Sequence, residues 1–376
     1  MNPLRQLAEF GQAVWVDNLQ RSYITQGTLK KLIDEDGLKG LTSNPTIFQK
    51  AVSGSEDYAD LFAEARAKGL SANDVYEHLA VRDVQGAADI LRPVYDSLKG
   101  KDGLASLEVS PRLANQTQAT LEEARRLWKT LARPNVMIKV PGTEAGVPAF
   151  QQLISEGINI NVTLLFSQER YRQIADAYLS GLEKFAKAGG DLSTVASVAS
   201  FFVSRIDVAA DKEIEQRLKG AGVSAEQRKT LEALRGSGKV AIANAKLAYR
   251  IYQEVFSGAR WKALAAKGAR VQRVLWASTS TKNPKLRDVL YVEELIGPDT
   301  VNTMPPATID AFREHGKVRT SLVEDLAGAK ETMRLLEASG VSMKSITERL
   351  AVDGVKLFEE SFDALLGAVG EQLKKK

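Results

Sequence analysis

The sequence predicts an α/β protein built as a (β/α)8 TIM barrel with inserted helices and C-terminal helices. Two observations support this prediction: short apolar segments recur eight times along the 376 residues, and segments with helical spacing separate them. Strands that alternate with helices need crossover connections, and therefore a parallel sheet. Eight repeats favour closure into a barrel, because no G-x-G-x-x-G turn follows the first strand as it would in an open dinucleotide-binding sheet.

The predicted strands share a short apolar or alternating pattern. They are, in order, Ala13–Asp17, Gly40–Asn44, Ala105–Val109, Val136–Val140, Ile158–Leu165, Val195–Phe202, Val274–Ser278 and Thr300–Met304. The segments between them have apolar residues at helical spacing. Among these predicted helices are Leu121–Leu131, Gly146–Ser155, Glu169–Ala188 and Ile206–Leu218.

Two connections are longer than a minimal repeat, at about residues 53–101 and 206–270, and both are predicted to contain inserted helices. After the eighth strand, Glu331–Leu336 and Ile346–Leu366 have helical spacing and are separated by Gly340. We expect this helical tail to pack over the barrel or its mouth. No Pro-rich or low-complexity linker interrupts the chain, so residues 1–376 are expected to form a single domain.

The composition is that of an ordinary globular protein, with 44% hydrophobic and 26% charged residues. A formal charge of +4 is too small to indicate nucleic-acid binding. The first residues mix charged with apolar side chains, and no later stretch approaches the length of a membrane span, so we expect a cytoplasmic protein that is neither exported nor membrane-bound. Monomeric and homodimeric states are both compatible with the sequence.

The supply of reactive side chains restricts the chemistry. Cysteine is absent and His78 and His315 are the only histidines, which argues against thiol chemistry, Cys/His zinc sites and serine or cysteine triads. His78 lies in a helical pattern and His315 in a charged segment, and both are interpreted as solvated or structural. Catalysis would then depend on Lys, Asp, Glu, Tyr or hydroxyl groups, with no cofactor and no metal.

Polar side chains alternate with aliphatic ones in several predicted strands. Side chains of a barrel strand face the lumen and the outer helices in turn, so alternate polar residues mark the lumen. The segment Ile158–Leu164 places Asn161 and Thr163 on one face, and Ala105–Ser110 places Glu108 between two serines. We therefore expect these polar groups to face the inside of the barrel.

Lys139 stands late in a strand whose other face is aliphatic, where barrel enzymes hold their catalytic groups. Asp17 ends the first strand and Asn44 the second, so polar groups converge at one end of the barrel. A lysine in apolar surroundings loses proton affinity and can attack a ketone, and the resulting iminium is an electron sink for carbon–carbon cleavage. Neighbouring carboxylates would supply the proton transfers.

A purely structural interpretation competes with this one. Lys139 would form a buried ion pair with Glu108 or Asp17 and have no catalytic task, since structural pairs also perturb pKa values. Taken singly, the remaining polar strand-end residues fit a turn or a lumen hydrogen bond as well as a substrate contact; they are Asn44, Asn161, Thr163 and Ser278. The conjunction of these residues favours a catalytic site.

The segments at the predicted strand ends resemble those of the transaldolase family, in the same order along the chain. They are VWVD at 14–17, LTSNP at 41–45, MIKVP at 137–141, GININVTLLFS at 157–167, SFFVSR at 200–205 and WAST at 276–279. The resemblance extends from about Trp15 to Met304 and is weakest in the insertions and the tail. It implies the barrel fold predicted above.

The resemblance also implies roles for individual residues. Lys139 would be the Schiff-base lysine, Glu108 and Thr163 would place the catalytic water, and Asp17 would act as acid and base on a sugar hydroxyl. The resemblance further implies substrate contacts by a second group of residues: hydroxyl binding by Asn44 and Asn161, pocket lining by Ser200 and Phe202, and phosphate binding by Arg205 and Ser278.

The sequence departs from the family pattern at one position. Shorter transaldolases have a second phosphate-binding arginine two residues after the serine of the Ala-Ser pair, where this chain has Ser280. Lys282 is the expected replacement, as in the long form of the family that this chain resembles.

The implied reaction moves dihydroxyacetone from sedoheptulose 7-phosphate to glyceraldehyde 3-phosphate, giving erythrose 4-phosphate and fructose 6-phosphate in the non-oxidative pentose phosphate pathway. Sugar phosphates are then the expected partners. Three alternatives remain open from the sequence: a related class I aldolase that resembles fructose 6-phosphate aldolase, a barrel with magnesium on Asp17 and Glu108, and a non-catalytic sugar-phosphate-binding barrel.

Overall fold

The computed structural model of the chain describes residues 2–53 and 57–375. Within these ranges, eight parallel strands form a closed barrel in sequential order, so that the first strand pairs with both the second and the eighth. The strands are β1 Gln12–Asp17, β2 Gly40–Thr42, β3 Leu104–Glu108, β4 Val136–Pro141, β5 Ile160–Leu165, β6 Ser197–Phe202, β7 Arg273–Ala277 and β8 Thr300–Met304. The predicted fold class is confirmed.

Helices follow every strand of the barrel. A short helix, α1 Pro3–Gln6, precedes β1. The others are α2 Arg21–Thr25, α3 Thr28–Asp36, α4 Pro45–Ser53, α5 Ala59–Lys68, α6 Ala72–Ser97, α7 Thr117–Leu131, α8 Gly146–Ile154, α9 Gln168–Lys187, α10 Ser204–Lys219, α11 Ala225–Leu234, α12 Lys239–Val255, α13 Ala259–Ala265, α14 Leu290–Glu293, α15 Pro306–His315, α16 Leu326–Ala338 and α17 Met343–Lys374. Single 3₁₀ turns occur at Leu7–Phe10, Pro111–Leu113 and Leu192–Thr194.

Three strands, β2, β3 and β7, end earlier than the sequence pattern predicts, and two of these ends are irregular. β2 stops at Thr42 because the chain turns into α4, where the Asn44 Oδ1 atom accepts a hydrogen bond of 3.0 Å from the amide of Ile47. β7 stops at Ala277 because Ser278 has φ of 58°, in the left-handed region, which ends extended pairing. Both irregular ends present polar side chains at the carboxyl end of the barrel.

Both long connections contain helices. α4, α5 and α6 lie between β2 and β3, with residues 54–56 of the predicted insertion outside the described ranges, and α10 to α13 lie between β6 and β7. None of the helices within the described ranges is long and apolar enough to cross a lipid bilayer.

The tail forms two helices separated at Gly340, which has φ of 84°. The side chain of Ser342 caps the N-terminus of α17. α17 then crosses the carboxyl end of the barrel, because the Phe358 ring lies 5.7 Å from the Lys139 Nζ atom and the Ser361 hydroxyl accepts a hydrogen bond of 2.9 Å from Thr46. The tail therefore packs over the barrel mouth.

Strand register sets the neighbours of Lys139. Lys139 pairs with Glu108 on β3 and with Asn161 on β5, while Asp17 on β1 pairs with Thr42 on β2. Asp17, Thr42, Glu108 and Lys139 are at or near the carboxyl ends of their strands, which are the ends that carry active sites in this fold, whereas Asn161 is near the start of β5. The barrel thus collects the sequence-predicted polar residues at one mouth.

Candidate active site

Lys139 and Glu108 form a buried ion pair across neighbouring strands. The Lys139 Nζ atom lies 3.2 Å from the Glu108 Oε2 atom, and the two side chains are 5% and 3% exposed. Nζ also donates a hydrogen bond of 3.2 Å to the main-chain carbonyl of Ser43. Removing one partner of such a pair would leave an uncompensated charge away from water.

Asp17 is held at the end of β1 by two threonines. The hydroxyl of Thr42 donates to the Asp17 Oδ1 atom at 2.6 Å, and the same hydroxyl lies 2.8 Å from that of Thr303 on β8. These contacts fix the orientation of the carboxylate toward the cavity.

Burial raises the pKa of both acidic groups. For Asp17 and for Glu108, desolvation is the largest effect, and the positive charge of Lys139 opposes it. Arg205 also lowers the pKa of each carboxyl group. Buried carboxyl groups with opposing electrostatic influences are typical of sites that exchange protons with a substrate.

Two further oxygen atoms on these strands are buried and form no hydrogen bond with any described residue. They are Oε1 of Glu108, whose Oε2 atom contacts Lys139, and Oγ1 of Thr163. Buried polar atoms are normally paired, so these atoms can accept and donate to a small polar molecule such as water. Leu164, which follows Thr163, has φ of 60°, and the pairing of β5 with β6 shifts register between Val162 and Leu165.

Asn161 is already hydrogen-bonded inside the barrel. Its Nδ2 atom donates to Ser106 at 3.2 Å, and its Oδ1 atom accepts from the Ser200 hydroxyl at 2.7 Å. The side chain is fully buried and does not line the cavity described below. This chain of hydrogen bonds supports the strand on which Thr163 stands.

A cavity of about 740 Å³ opens at the carboxyl end of the barrel. Nine sequence-predicted residues line it, namely Asp17, Asn44, Lys139, Thr163, Ser200, Phe202, Arg205, Ser278 and Lys282. Asn161 does not line the cavity but forms a hydrogen bond with Ser200, which does. Glu108 does not line the cavity either, but it contacts Lys139, which does. We call Lys139, Glu108 and Asp17 the lysine end of the cavity.

Three further cations line the same cavity, and we call them the cation end: Arg205, Lys282 and Lys50. Arg205 and Lys50 each disfavour the charged form of Lys282, and burial together with these charges lowers the pKa of Lys282. Within the described ranges, no carboxylate forms an ion pair with any of the three. Cations gathered without a counterion suit a ligand with more than one negative charge.

Arg205 is held by aromatic rings rather than by a carboxylate. Its guanidinium carbon lies 5.1 Å from the centre of the Phe202 ring and 5.9 Å from that of Phe358. Such stacking orients the planar group while leaving its N–H donors free. Burial lowers the pKa of Arg205, and the charges of Asp17 and Glu108 oppose that effect.

Ser278 adopts its left-handed conformation next to the start of α10. Its hydroxyl lies 2.9 Å from that of Ser204, and its carbonyl accepts from the Ser204 amide at 3.0 Å. α10 begins at Ser204, so the helix N-terminus, which favours anions, faces the same region as Arg205.

Sequence reasoning missed Lys50 and Phe358. Lys50 stands on α4, which follows β2, and Phe358 stands on α17 in the tail, and in neither helix does strand periodicity mark a residue as facing the cavity. Thr42 and Ser204 were parts of recognisable segments, but their contacts with Asp17 and Ser278 depend on the irregular strand ends. Only long-range packing brings these residues to the site.

The histidines lie outside the cavity. His78 is exposed on α6, and the Nε2 atom of His315 lies 2.8 Å from Asp288 at the surface. In the part of the chain that the structure describes, no group of three or more histidine and acidic side chains is placed to hold a metal ion.

Comparison with known proteins relates the whole barrel to one family. The family model described as transaldolase/fructose-6-phosphate aldolase matches residues 14–369. Among curated proteins, "Transaldolase 2" of Nostoc sp. (strain PCC 7120 / SAG 25.82 / UTEX 2576) is 47% identical over 100% of this chain and 98% of its own length. "Transaldolase" of Thermobifida fusca (strain YX) is 47% identical over 99% of this chain and 98% of its own. "Transaldolase 1" of Streptomyces coelicolor is 48% identical over 99% and 95%.

Proposed function

The chain belongs to the transaldolase/fructose-6-phosphate aldolase family, and from that membership we propose that it is a transaldolase acting through a Schiff base on Lys139. The donor is sedoheptulose 7-phosphate and the acceptor is glyceraldehyde 3-phosphate. The three-carbon dihydroxyacetone unit passes between them, giving erythrose 4-phosphate and fructose 6-phosphate. This proposal places the reaction in the non-oxidative pentose phosphate pathway, in the cytoplasm.

One observation carries the proposal: a buried lysine and glutamate 3.2 Å apart stand at a cavity that is also lined by cations without ion-pair partners among the described residues. The lysine end supplies a nucleophile with an adjacent acid and base. The cation end supplies binding for the sugar phosphate. A ketose phosphate carries both a ketone and a phosphate, and each of the two groups suits one of them.

The first chemical steps occur around Lys139. The ammonium group of Lys139 first passes a proton to Glu108, and the resulting amine attacks the ketone carbon of the donor to form a carbinolamine, whose hydroxyl receives that proton when it leaves. Glu108, with Thr163, places the water that mediates proton transfer, and the hydroxyl leaves as water to give an iminium. The unpartnered oxygen atoms of Glu108 and Thr163 suit that task.

Asp17 then takes the proton from the C4 hydroxyl, and the bond between C3 and C4 breaks as electrons move into the iminium. The aldose phosphate leaves, and the three-carbon enamine stays on Lys139. Attack of this enamine on the acceptor aldehyde, with return of the proton from Asp17, forms the new bond. Hydrolysis of the iminium with one water then releases the product ketose.

At the cation end, Arg205 and Lys282 hold the phosphate, with Ser278 donating a hydrogen bond. Asn44 contacts substrate hydroxyls from the α4 side, and Ser200 and Phe202 form the wall between the two ends. Because the phosphate is contacted before, during and after bond cleavage, these residues contribute binding energy more than rate acceleration.

Product analysis tests this assignment. Fructose 6-phosphate is supplied with and without erythrose 4-phosphate, and free dihydroxyacetone and sedoheptulose 7-phosphate are measured. A transaldolase forms sedoheptulose 7-phosphate with the acceptor and little free dihydroxyacetone without it. Rapid release of dihydroxyacetone in the absence of acceptor would instead assign the aldolase reaction, and loss of activity with a chelator would favour the magnesium alternative.

A further inference from the structure

Side chains from three neighbouring strands form a line of hydrogen bonds that begins at Thr303 and ends at Asp17. In the closed barrel, β1 lies between β2 and β8. Asp17 pairs with Thr42 on β2, and Thr303 on β8 pairs with Trp15, two residues before Asp17 on the same face of β1. The hydroxyl groups of Thr42 and Thr303 therefore come from the two strands that flank β1, and their oxygen atoms are 2.8 Å apart.

The number of hydrogen atoms fixes the direction of this line. A carboxyl group that serves as a base is ionised before it takes its proton, and an ionised carboxylate can only accept hydrogen bonds. The Thr42 hydroxyl has one hydrogen, which it donates to the Asp17 Oδ1 atom at 2.6 Å. In the contact between the two threonines, Thr303 is therefore the donor and Thr42 the acceptor.

Both threonines are enclosed by the barrel. Thr42 and Thr303 are each 2% exposed. Among the described residues, Thr42 is the only group that forms a hydrogen bond with the Thr303 hydroxyl, and a buried hydroxyl without a partner costs free energy. Threonine is also stiff about its first side-chain torsion, so the strands hold the two hydroxyl groups in place.

The line of hydrogen bonds makes the two carboxylate oxygen atoms of Asp17 unequal. Oδ1 accepts from Thr42, whereas Oδ2 forms no hydrogen bond with any described residue, and Asp17 lines the substrate cavity. A hydrogen bond to the ionised form lowers proton affinity, so Oδ1 is the weaker base of the two. Oδ2 is then the atom available to a substrate hydroxyl.

We propose that Thr303 is a positioning residue for the reaction: it donates to Thr42, directs the Thr42 hydroxyl to Oδ1 of Asp17, and leaves Oδ2 as the base that takes the C4 hydroxyl proton. The inference rests on the proposed Schiff-base function, in which Asp17 takes that proton as the bond between C3 and C4 breaks. The proton passes from the C4 oxygen to Oδ2, while both threonines keep their own hydrogens. Thr303 acts through Thr42 and not through the substrate.

Loss of the Thr303 hydroxyl should raise the pKa of Asp17. Burial is the largest influence on this pKa and raises it, whereas the charge of Lys139 and the hydrogen bond from Thr42 lower it. Donors in a line strengthen one another, so Thr42 without its own donor stabilises the carboxylate less. A substitution at Thr303 leaves the other charged groups of the site in place; they are Lys139, Arg205, Lys282, Lys50 and Glu108.

Three variants isolate the hydroxyl. Thr303→Val removes it and keeps the branched shape of the side chain on β8. Thr303→Ser is the conservative variant that keeps a hydroxyl. Thr308→Val is the matched control, because Thr308 is also buried and lines the same cavity, but its hydroxyl forms no hydrogen bond with a described residue.

The measurement is the pH dependence of kcat at saturating fructose 6-phosphate, with erythrose 4-phosphate as acceptor. Activity that needs ionised Asp17 is lost as pH falls through its pKa, so Thr303→Val should move the acid limb to higher pH. We expect a shift of roughly half a pH unit, the size that follows from weakening one hydrogen bond, with the KM for the donor unchanged. Thr303→Ser and Thr308→Val should keep the limb at the wild-type pH.

A double variant tests whether Thr303 acts through Asp17. In Asp17→Asn the carboxylate is absent, so the addition of Thr303→Val should leave the residual kcat and its pH dependence unchanged. A further fall in kcat of the same size as in the single variant would mean that Thr303 acts on another group and would contradict the proposal.

The remaining outcomes separate the two proposals. A wild-type acid limb in Thr303→Val overturns the role of Thr303, as does an equal shift in Thr308→Val. A higher KM with an unmoved limb would make Thr303 a substrate contact and also overturns it. If Thr303→Val does not fold, Thr303→Ala takes its place in the same comparison. Failure of the wild-type protein to form a Lys139 adduct or transfer product overturns the proposed function instead.

Discussion

The charged groups of the lysine end and of the cation end differ in whether neighbouring side chains neutralise them. At the lysine end, Lys139 and Glu108 neutralise each other on adjacent strands and Asp17 is held by Thr42. At the cation end, Arg205, Lys282 and Lys50 have no carboxylate partner within the described ranges and stand on helices or a loop. Groups that move protons need fixed positions and balanced charges, whereas groups that bind a phosphate need charge that the ligand itself neutralises.

The largest effects should come from the carboxylates of the lysine end. Glu108→Gln and Asp17→Asn keep the size of each side chain and remove its ability to carry a proton. Each should lower turnover by roughly 10²–10⁴-fold, the usual range for loss of a positioned general acid or base. Steady-state kinetics at saturating donor measure the effect, and near-wild-type turnover in both would make them structural partners only.

The two substitutions should impair different steps of the reaction. Asp17 acts on the hydroxyl whose proton leaves during cleavage, whereas Glu108 acts with water at the carbinolamine. Asp17→Asn should therefore still form an adduct that borohydride traps, while Glu108→Gln should form it slowly. Equal loss of trapped adduct in both variants would contradict this division of roles.

At the cation end, Arg205→Ala should mainly raise the KM for phosphorylated sugars. Charge-assisted hydrogen bonds to a phosphate present in both ground and transition states contribute mostly uniform binding, so the rise should be roughly 10-fold to 100-fold with a smaller change in kcat. If Arg205→Ala instead lowered kcat and left KM unchanged, Arg205 would act in catalysis and not mainly in phosphate binding.

Arg205 also couples the two ends electrostatically. Its charge lowers the pKa of both Asp17 and Glu108, so its removal should raise both. Activity that needs ionised carboxylates is lost as pH falls through their pKa, and the acid limb of kcat should therefore lie at higher pH in Arg205→Ala than in the wild type. Lys282 lowers the pKa of Asp17 by less than Arg205 does, so Lys282→Ala should move that limb less. If the acid limb of kcat stays at the wild-type pH in Arg205→Ala, the charge of Arg205 does not influence the carboxyl groups of the lysine end.

The smallest effects should come from the two lysines. Lys50 is exposed, Lys282 is partly exposed, and both contribute mobile point charges; among the described residues, Lys282 has a hydrogen bond of 2.8 Å to Ser280. Lys282→Ala should raise KM by a few-fold and Lys50→Ala by about twofold, with both effects weakening at high salt. Wild-type KM in Lys282→Ala would contradict its expected role in place of the missing arginine. Lys285→Ala, which changes a nearby lysine that does not line the cavity, is the matched control.

The contrast between the ends also explains what the sequence can predict. Lys139, Glu108 and Asp17 stand in strands, where a period of two and an apolar background make a charged residue conspicuous. Closure of eight repeats then brings these strand ends together. The barrel and the lysine end were therefore predictable from residues alone.

Other parts of the site depend on packing that no local pattern encodes. Phe358 reaches Lys139 only because α17 folds back over the mouth, more than 200 positions later in the chain. Ser278 and Leu164 adopt left-handed conformations that ordinary propensities disfavour, and such strained positions cluster at functional sites. The sequence identified Ser278 through family resemblance, but its contact with Ser204 required the structure.

Borohydride trapping tests the central claim most directly. The protein is reduced in the presence of fructose 6-phosphate and examined by intact mass and peptide mapping, with Lys139→Ala as the folded, inactive control. We predict one three-carbon unit per chain, on Lys139, and none in the variant. A modification on another lysine such as Lys282, or an adduct that persists in Lys139→Ala, would contradict the assignment.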